Sequence, residues 1–135
     1  MASKDKRFVK LNKKRLIDSF KYALQGIKEA FNGEQNIKIH ILFSILVLIF
    51  GIILKISYTD WLIVLLLIGL VIMAEFFNTA IEYVTDLASP NVSEKAKYAK
   101  DISAGAVLVI AITSAIIGLI IFIPKLIDLI GGILW

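Results

Sequence analysis

The sequence predicts an all-α integral membrane protein, and three observations lead to this fold class. The chain of 135 residues is 59% hydrophobic and 19% charged, whereas soluble domains are about 45–50% apolar and about 25% charged. The apolar residues are gathered into three long runs instead of being spread along the chain. Residues 1–38 carry ten Lys and Arg against four Asp and Glu, and a basic block before an apolar run is typical of the cytoplasmic side of a membrane protein.

The composition also excludes several classes of function. The chain has no Cys and one His, so disulfide frameworks, thiolate zinc sites, cysteine nucleophiles and cages of several histidines are excluded or disfavoured. A basic block can also indicate nucleic-acid binding, but beside an apolar run it favours contact with anionic lipid. We therefore expect no nucleic-acid partner. The sequence contains none of the glycine-rich or kinase motifs of soluble nucleotide-binding folds.

The first predicted element is a basic amphipathic helix over residues 14–31. Apolar residues recur there at helical spacing, while lysines occupy other angles around the helix. Such a helix is suited to lie at the cytoplasmic membrane interface, and an ordinary packing helix is the alternative. Asn32 and Gly33 form the expected break before the first membrane span.

Three transmembrane helices are predicted over about 35–55, 61–85 and 100–123, the last ending at Pro124. A span needs about 20 residues; the third run meets this without charges, and the first two meet it only by including polar residues. The lysines of the 86–101 loop place that loop and the amino terminus in the cytoplasm and the carboxyl terminus outside. Residues 1–135 are expected to form a single membrane domain.

The second span carries a polar stripe at its inner end. At about 100° per residue, the side chains of Glu75, Asn78, Glu82 and Asp86 fall within an arc of about 80°. Lipid would not tolerate such a stripe, so it should face protein or a water-filled cleft. A helix end that simply emerges into water would explain Glu82 and Asp86, but it would not explain Glu75.

A second polar group precedes the third span. Lys100 and Asp101 lie there beside further lysines, and lysines near carboxylates suit a phosphate ligand that is bound through a divalent cation. A positive-inside flank explains Lys95 and Lys97 about as well, but it does not explain Asp101. Glu34, just before the first span, could complete a metal clamp with Glu82 or be a solvated loop residue. His40 is interpreted as an interfacial polar residue rather than a ligand.

Small residues recur along the third span at Ala104, Ala111, Ala115 and Gly118. Small side chains at such spacing allow helices to approach closely in lipid. The pattern favours a tight bundle, formed either within one subunit or between subunits.

Two segments together resemble the signature of the prokaryotic diacylglycerol kinase family. The first is the run from Glu75 to Asp86, with the core E-x-x-N-T-A-I-E, and the second is Ala-Lys-Asp at 99–101 followed by alanines. The basic, isoleucine-rich chain looks like the Gram-positive branch of that family, chiefly undecaprenol kinases. The resemblance implies a homotrimer of three-span subunits with shared sites at the cytoplasmic face, which ATP enters from the cytosol and a lipid alcohol from the bilayer.

The resemblance also implies roles for individual residues. Glu75 matches the general base that accepts the proton of the lipid hydroxyl, and Glu34 and Glu82 match the ligands of Mg²⁺. Lipid-substrate contacts are expected at Glu75 and Ala104. Nucleotide contacts are expected at Arg15, Tyr22, Glu34, Asn78, Glu82, Asp86, Asn91, Val92, Ser93, Lys100 and Asp101.

The function expected from this resemblance is ATP- and Mg²⁺-dependent phosphorylation of undecaprenol at a bacterial cell membrane. Diacylglycerol is an alternative substrate for the same mechanism. A small proton-coupled transporter with Glu75 as its coupling carboxylate is a second alternative, and a non-catalytic subunit is a third. The Gram-negative branch has a carboxylate near the position of His40 and a serine near that of Ala104, so its lipid preference does not transfer to this chain.

Overall fold

The structure, a computed structural model, describes residues 13–89, 91 and 93–133, and the regular secondary structure in this part of the chain is all helical. Its helices are α1 (Lys13–Gly33), α2 (Gln35–Ile53), α3 (Tyr58–Ala88) and α4 (Glu94–Ile133). The last three are long and apolar enough to cross a membrane. The all-α class and the three span-length helices are therefore confirmed, whereas the interfacial location of α1 stays a prediction.

The connections between helices follow from local backbone chemistry. A single residue, Glu34, separates α1 from α2, next to the predicted break at Gly33. Lys55 has a left-handed φ of 49°, and the amides of Lys55 and Ile56 bond back to the carbonyls of Ile52 and Gly51. This pattern is a Schellman motif, which ends α2 by satisfying its last carbonyls.

A capping box begins α3 three residues earlier than the sequence predicted. The side chain of Ser57 accepts a hydrogen bond from the amide of Asp60, and the carboxylate of Asp60 accepts one from the amide of Ser57. These reciprocal bonds satisfy amides that would otherwise lack partners at the start of a helix. At the other end, α3 continues to Ala88 before the predicted break at Ser89.

The prediction that the third apolar helix ends at Pro124 is wrong, because α4 continues through Pro124 to Ile133. Proline lacks an amide hydrogen and removes one helical hydrogen bond, but this loss can kink a helix without ending it. The residues that follow are still strongly apolar. Lys125 and Asp128 therefore lie on the last turns of a helix and not on a loose tail.

The central element is α3, which packs most extensively against α4 and also contacts α2 and α1. Two glycines permit close approach to it. A methyl group added at Gly51 of α2 would lie 2.8 Å from the ring of Trp61, and one added at Gly33 would lie 2.9 Å from the hydroxyl of Tyr83. Both ends of α3 are thus held by contacts that a larger residue would obstruct.

The interior of the described chain is small and partly polar. Among the described residues, the buried apolar side chains are Ala30, Ile37, Ile56, Val64, Val71 and Val107, and the buried polar ones are Glu75, Asn78, Thr79 and Ser103. Only 11–28% of each span-length apolar window is buried inside the chain. The remaining apolar surface suits contact with lipid or with other subunits.

An apolar cavity of about 440 Å³ lies between α2, α3 and α4. Its wall includes His40 at the end nearer the polar residues and Ala111, Ala115 and Gly118 along α4. Three of the small residues of α4 thus line a space inside the chain, and Ala104 is exposed. Their part in packing between subunits stays a prediction.

Candidate active site

The carboxylate of Glu75 is enclosed by the protein and bonded across helices. Its side chain is 3% exposed, and its Oε1 atom lies 3.0 Å from Nε2 of His40 on α2. The hydroxyl of Thr79 donates to the backbone carbonyl of Glu75, 3.1 Å away. Glu75 therefore does not protrude into solvent, and α2 supplies a partner for its carboxylate.

One turn further along α3, Asn78 connects a second carboxylate to α4. Its amide nitrogen donates to Oε1 of Glu82 at 3.1 Å, and its carbonyl oxygen lies 2.7 Å from the hydroxyl of Ser103. The same hydroxyl is 2.9 Å from the backbone carbonyl of Lys100. Since Asn78 and Ser103 are both buried, these bonds fix the orientation of Glu82.

The third connection is an ion pair at the end of α3. The ammonium of Lys100 contacts Oδ1 of Asp86, and the two side chains are 36% and 65% exposed. Ion pairs this accessible contribute little to stability, about 0–1 kcal/mol. The pair is more important for holding a positive charge beside the carboxylates at the open end of the site.

Glu34 lies within the electrostatic field of the same residues. Glu34 and Glu82 both interact electrostatically with Glu75. Glu34 is the N-cap residue of α2, yet its side chain makes no capping bond. We use the name acidic cluster for Glu34, Glu75, Glu82 and Asp86.

The acidic cluster suits Mg²⁺ only in combination with a phosphate ligand. Across residues 13–89, 91 and 93–133, no group of three or more His, Asp and Glu side chains could hold a metal ion alone. Magnesium commonly uses one or two carboxylates and completes its shell with water and substrate phosphates. Glu34 and Glu82, both partly exposed, fit that pattern.

In the described part of the chain, several predicted site residues make no hydrogen bond or ion pair with this cluster, and their roles stay predictions. Tyr22 is 67% exposed, and Arg15, Asn91, Asp101 and Ala104 are also exposed, while Ser93 is partly buried. Val92 lies outside the described residues. The cluster is contacted across helices by Lys100, which was predicted, and by His40, which was not. Ser103, which was also not predicted, reaches Glu82 only through Asn78.

Sequence reasoning missed these two partners for different reasons. His40 was interpreted as an interfacial polar residue, and nothing in the spacing of α2 indicates that its ring reaches Glu75. Ser103 left a usable signal, because it follows Lys100 by three residues and so lies on the same face of α4. A hydroxyl in that position could have been expected to point toward α3.

The arrangement describes a class of protein: a helical membrane protein whose acidic and basic side chains converge at one end of its apolar helices. Comparisons with known proteins agree. The sequence model of the family described as prokaryotic diacylglycerol kinase matches residues 21–122. The chain is 45% identical over 126 residues to undecaprenol kinase of Bacillus subtilis, covering 93% of this chain and 100% of that protein.

A second relative is diacylglycerol kinase of Synechocystis sp., which is 36% identical over 115 residues, covering 84% of this chain and 66% of that protein. The chain therefore belongs to the prokaryotic diacylglycerol kinase family and is a lipid kinase. The resemblance inferred from the motifs of α3 and α4 is thereby confirmed.

We expect Ser103→Ala to destabilise the protein by about 1–3 kcal/mol, because the carbonyl oxygen of buried Asn78 would lose its donor from α4. Thermal unfolding in detergent micelles measures this effect. Thr113→Ala on the same helix is the matched control. Among the described residues the exposed hydroxyl of Thr113 bonds to the carbonyl of Val109 alone, and its loss should change stability by about 0.5 kcal/mol or less. Equal stability of the two variants would contradict the assignment of Ser103.

Proposed function

We propose that this lipid kinase transfers the γ-phosphoryl group of ATP to undecaprenol at the cytoplasmic face of a bacterial membrane. The observation that carries the proposal is the burial of Glu75 between apolar helices, next to carboxylates and a lysine that remain accessible from one end. The choice of undecaprenol is supported by the relative from Bacillus subtilis, which the chain matches over that protein's whole length.

Glu75 is the general base of the proposed reaction. Its carboxylate accepts the proton of the lipid hydroxyl while the hydroxyl oxygen attacks the γ-phosphorus. The bond from the γ-phosphorus to the bridging oxygen breaks, and ADP leaves with the electron pair of that bond. Positioned general bases contribute about 10²–10⁴-fold to a rate, so a carboxylate held at a defined point on a rigid helix is suited to this role.

Glu34 and Glu82 would hold Mg²⁺ together with the ATP phosphates. The ion neutralises charge on the phosphate oxygens. The contribution of the chain is to aim the two carboxylates: Glu82 is oriented by Asn78, and Glu34 is placed by the junction between α1 and α2. Both therefore lie at the end of the bundle where a nucleotide would approach from water.

Lys100 provides the positive charge for the transferred phosphoryl group. Its partner Asp86 keeps the ammonium beside the cluster and is exposed enough to release it to a phosphate. Asp101 and the exposed residues Arg15, Tyr22 and Asn91, together with Ser93 and Val92, are proposed to contact the nucleotide from the periphery. Ala104 is proposed to contact the lipid.

The proposed assembly is a homotrimer with α1 at the cytoplasmic interface, the amino terminus inside and the carboxyl terminus outside. Two observations support it. Most of the apolar surface of α2, α3 and α4 is exposed in one chain. The lysines lie mainly before α2 and in the first two turns of α4, as the positive-inside rule requires for this orientation.

Diacylglycerol is the second candidate substrate, because the relative from Synechocystis is named a diacylglycerol kinase. The mechanism would be unchanged, since both lipids present a hydroxyl group at the membrane surface. A proton-coupled transporter has less support. A transporter would require Glu75 as its coupling carboxylate. It would not require Glu82, Asp86 and Lys100 together at one end of the bundle.

The lipid choice is tested by offering each lipid separately to the purified protein in detergent micelles, with ATP labelled at the γ-phosphate and Mg²⁺. We expect labelled undecaprenyl phosphate, and little labelled phosphatidic acid. The opposite pattern would establish diacylglycerol as the substrate. Absence of labelled lipid with either substrate would refute the proposed activity.

Glu75→Gln should lower kcat for lipid phosphorylation by about 10²–10⁴-fold, because the amide cannot accept the proton. Nucleotide affinity should stay within about twofold, since Glu75 does not contact the nucleotide in this mechanism. Isothermal titration with a non-hydrolysable ATP analogue and Mg²⁺ measures the affinity. Asp128→Asn, which removes an exposed carboxylate near the far end of α4, is the control for loss of charge. Wild-type turnover by Glu75→Gln would exclude Glu75 as the base.

A further inference from the structure

We propose that His40 is a positioning residue for this reaction: through its ring nitrogen Nε2 it holds the Glu75 carboxylate in the orientation that receives the proton of the lipid hydroxyl. The inference rests on the proposed function of Glu75. It gives a residue of α2 a role in the reaction. That residue lies outside the sequence motifs on α3 and α4.

The geometry is that of a hydrogen bond between helices. Nε2 of His40 lies 3.0 Å from Oε1 of Glu75, which is within the usual range for a nitrogen donor and a carboxylate acceptor. The side chain of Glu75 is 3% exposed, so water has little access to it. The other bond near it, from Thr79, goes to the backbone carbonyl. Within the described residues, His40 is therefore the hydrogen-bond partner of the carboxylate itself.

A buried carboxylate needs such a partner because an unpaired one is costly in an apolar environment. The bond also has a geometric consequence. With Oε1 engaged by the imidazole, Oε2 is the oxygen that remains for the incoming hydroxyl. Since His40 is on α2 and Glu75 on α3, rotation of the carboxylate is restrained by a neighbouring helix and not only by its own backbone.

His40 also links the carboxylate to the apolar interior. Its ring forms part of the wall of the cavity between α2, α3 and α4, whereas Glu75 does not line that cavity. The side chain of His40 is 24% exposed, so the ring is partly enclosed on the side of the apolar helices. Its backbone carbonyl accepts a bond from Ser44 at 2.8 Å, and Ser44 therefore belongs to the local structure of α2 without contacting Glu75.

Two substitutions that differ only in reach test the proposal. His40→Gln places an amide nitrogen about where Nε2 stood, while His40→Asn keeps the amide but is one carbon shorter. We expect His40→Asn to lose about 100-fold in kcat, the order of loss that a misplaced catalytic group causes. His40→Gln should recover most of this loss, and KM for ATP should be the same in both variants. Ser44→Ala, one turn along α2, is the control and should retain wild-type kcat.

Equal kcat values for His40→Asn and His40→Gln would overturn the proposal. They would show that the length of the side chain at position 40, and hence its contact with Glu75, does not affect the reaction. A parallel measurement does not depend on turnover: thermal unfolding of His40→Asn, Glu75→Gln and the double variant in micelles. Non-additive shifts of the midpoint show that the pair exists, and additive shifts refute it. If wild-type protein labels neither lipid, the proposed function fails, and the unfolding cycle still decides whether His40 holds Glu75.

Discussion

A carboxylate buried between apolar helices needs a hydrogen-bond partner from the protein itself. The polar contacts between the helices of this molecule follow from that requirement. His40 on α2 supplies the hydrogen-bond partner of Glu75. One turn further along, Asn78 connects Glu82 to Ser103 on α4. These bonds join helices whose apolar surfaces are otherwise mostly exposed, so they provide directional contacts that nonspecific apolar packing in lipid would not supply.

The acidic side chains of α3 are of two kinds, one buried and the others accessible to water, and they lie within a short length of the helix. Beside the second turn of α2, Glu75 is enclosed and has a defined partner, His40, as a proton acceptor should. Toward the end, Glu82 and Asp86 become progressively more accessible, as residues that meet a soluble nucleotide must be. In the proposed reaction, this single helix would supply the proton acceptor at Glu75 and, nearer its end, the carboxylates that meet the nucleotide.

Much of this arrangement could be predicted from the sequence. Long apolar runs predicted the span-length helices, and helical periodicity predicted that Glu75, Asn78, Glu82 and Asp86 share one face. Contacts between helices could not be predicted in the same way, because periodicity describes one helix and contains no information about its neighbour. His40 was therefore missed as the partner of Glu75. Pro124 was misjudged because its local preference is outweighed by the apolar residues that continue the helix beyond it.

The central claim, that Glu75 is sheltered and does not simply extend into water, can be measured directly by cysteine labelling. The chain has no cysteine, so a single thiol introduced by Glu75→Cys can be compared with one introduced at an exposed position by Glu29→Cys. A water-soluble maleimide should modify the first thiol far more slowly than the second in intact membranes. Equal rates at the two positions would contradict the account.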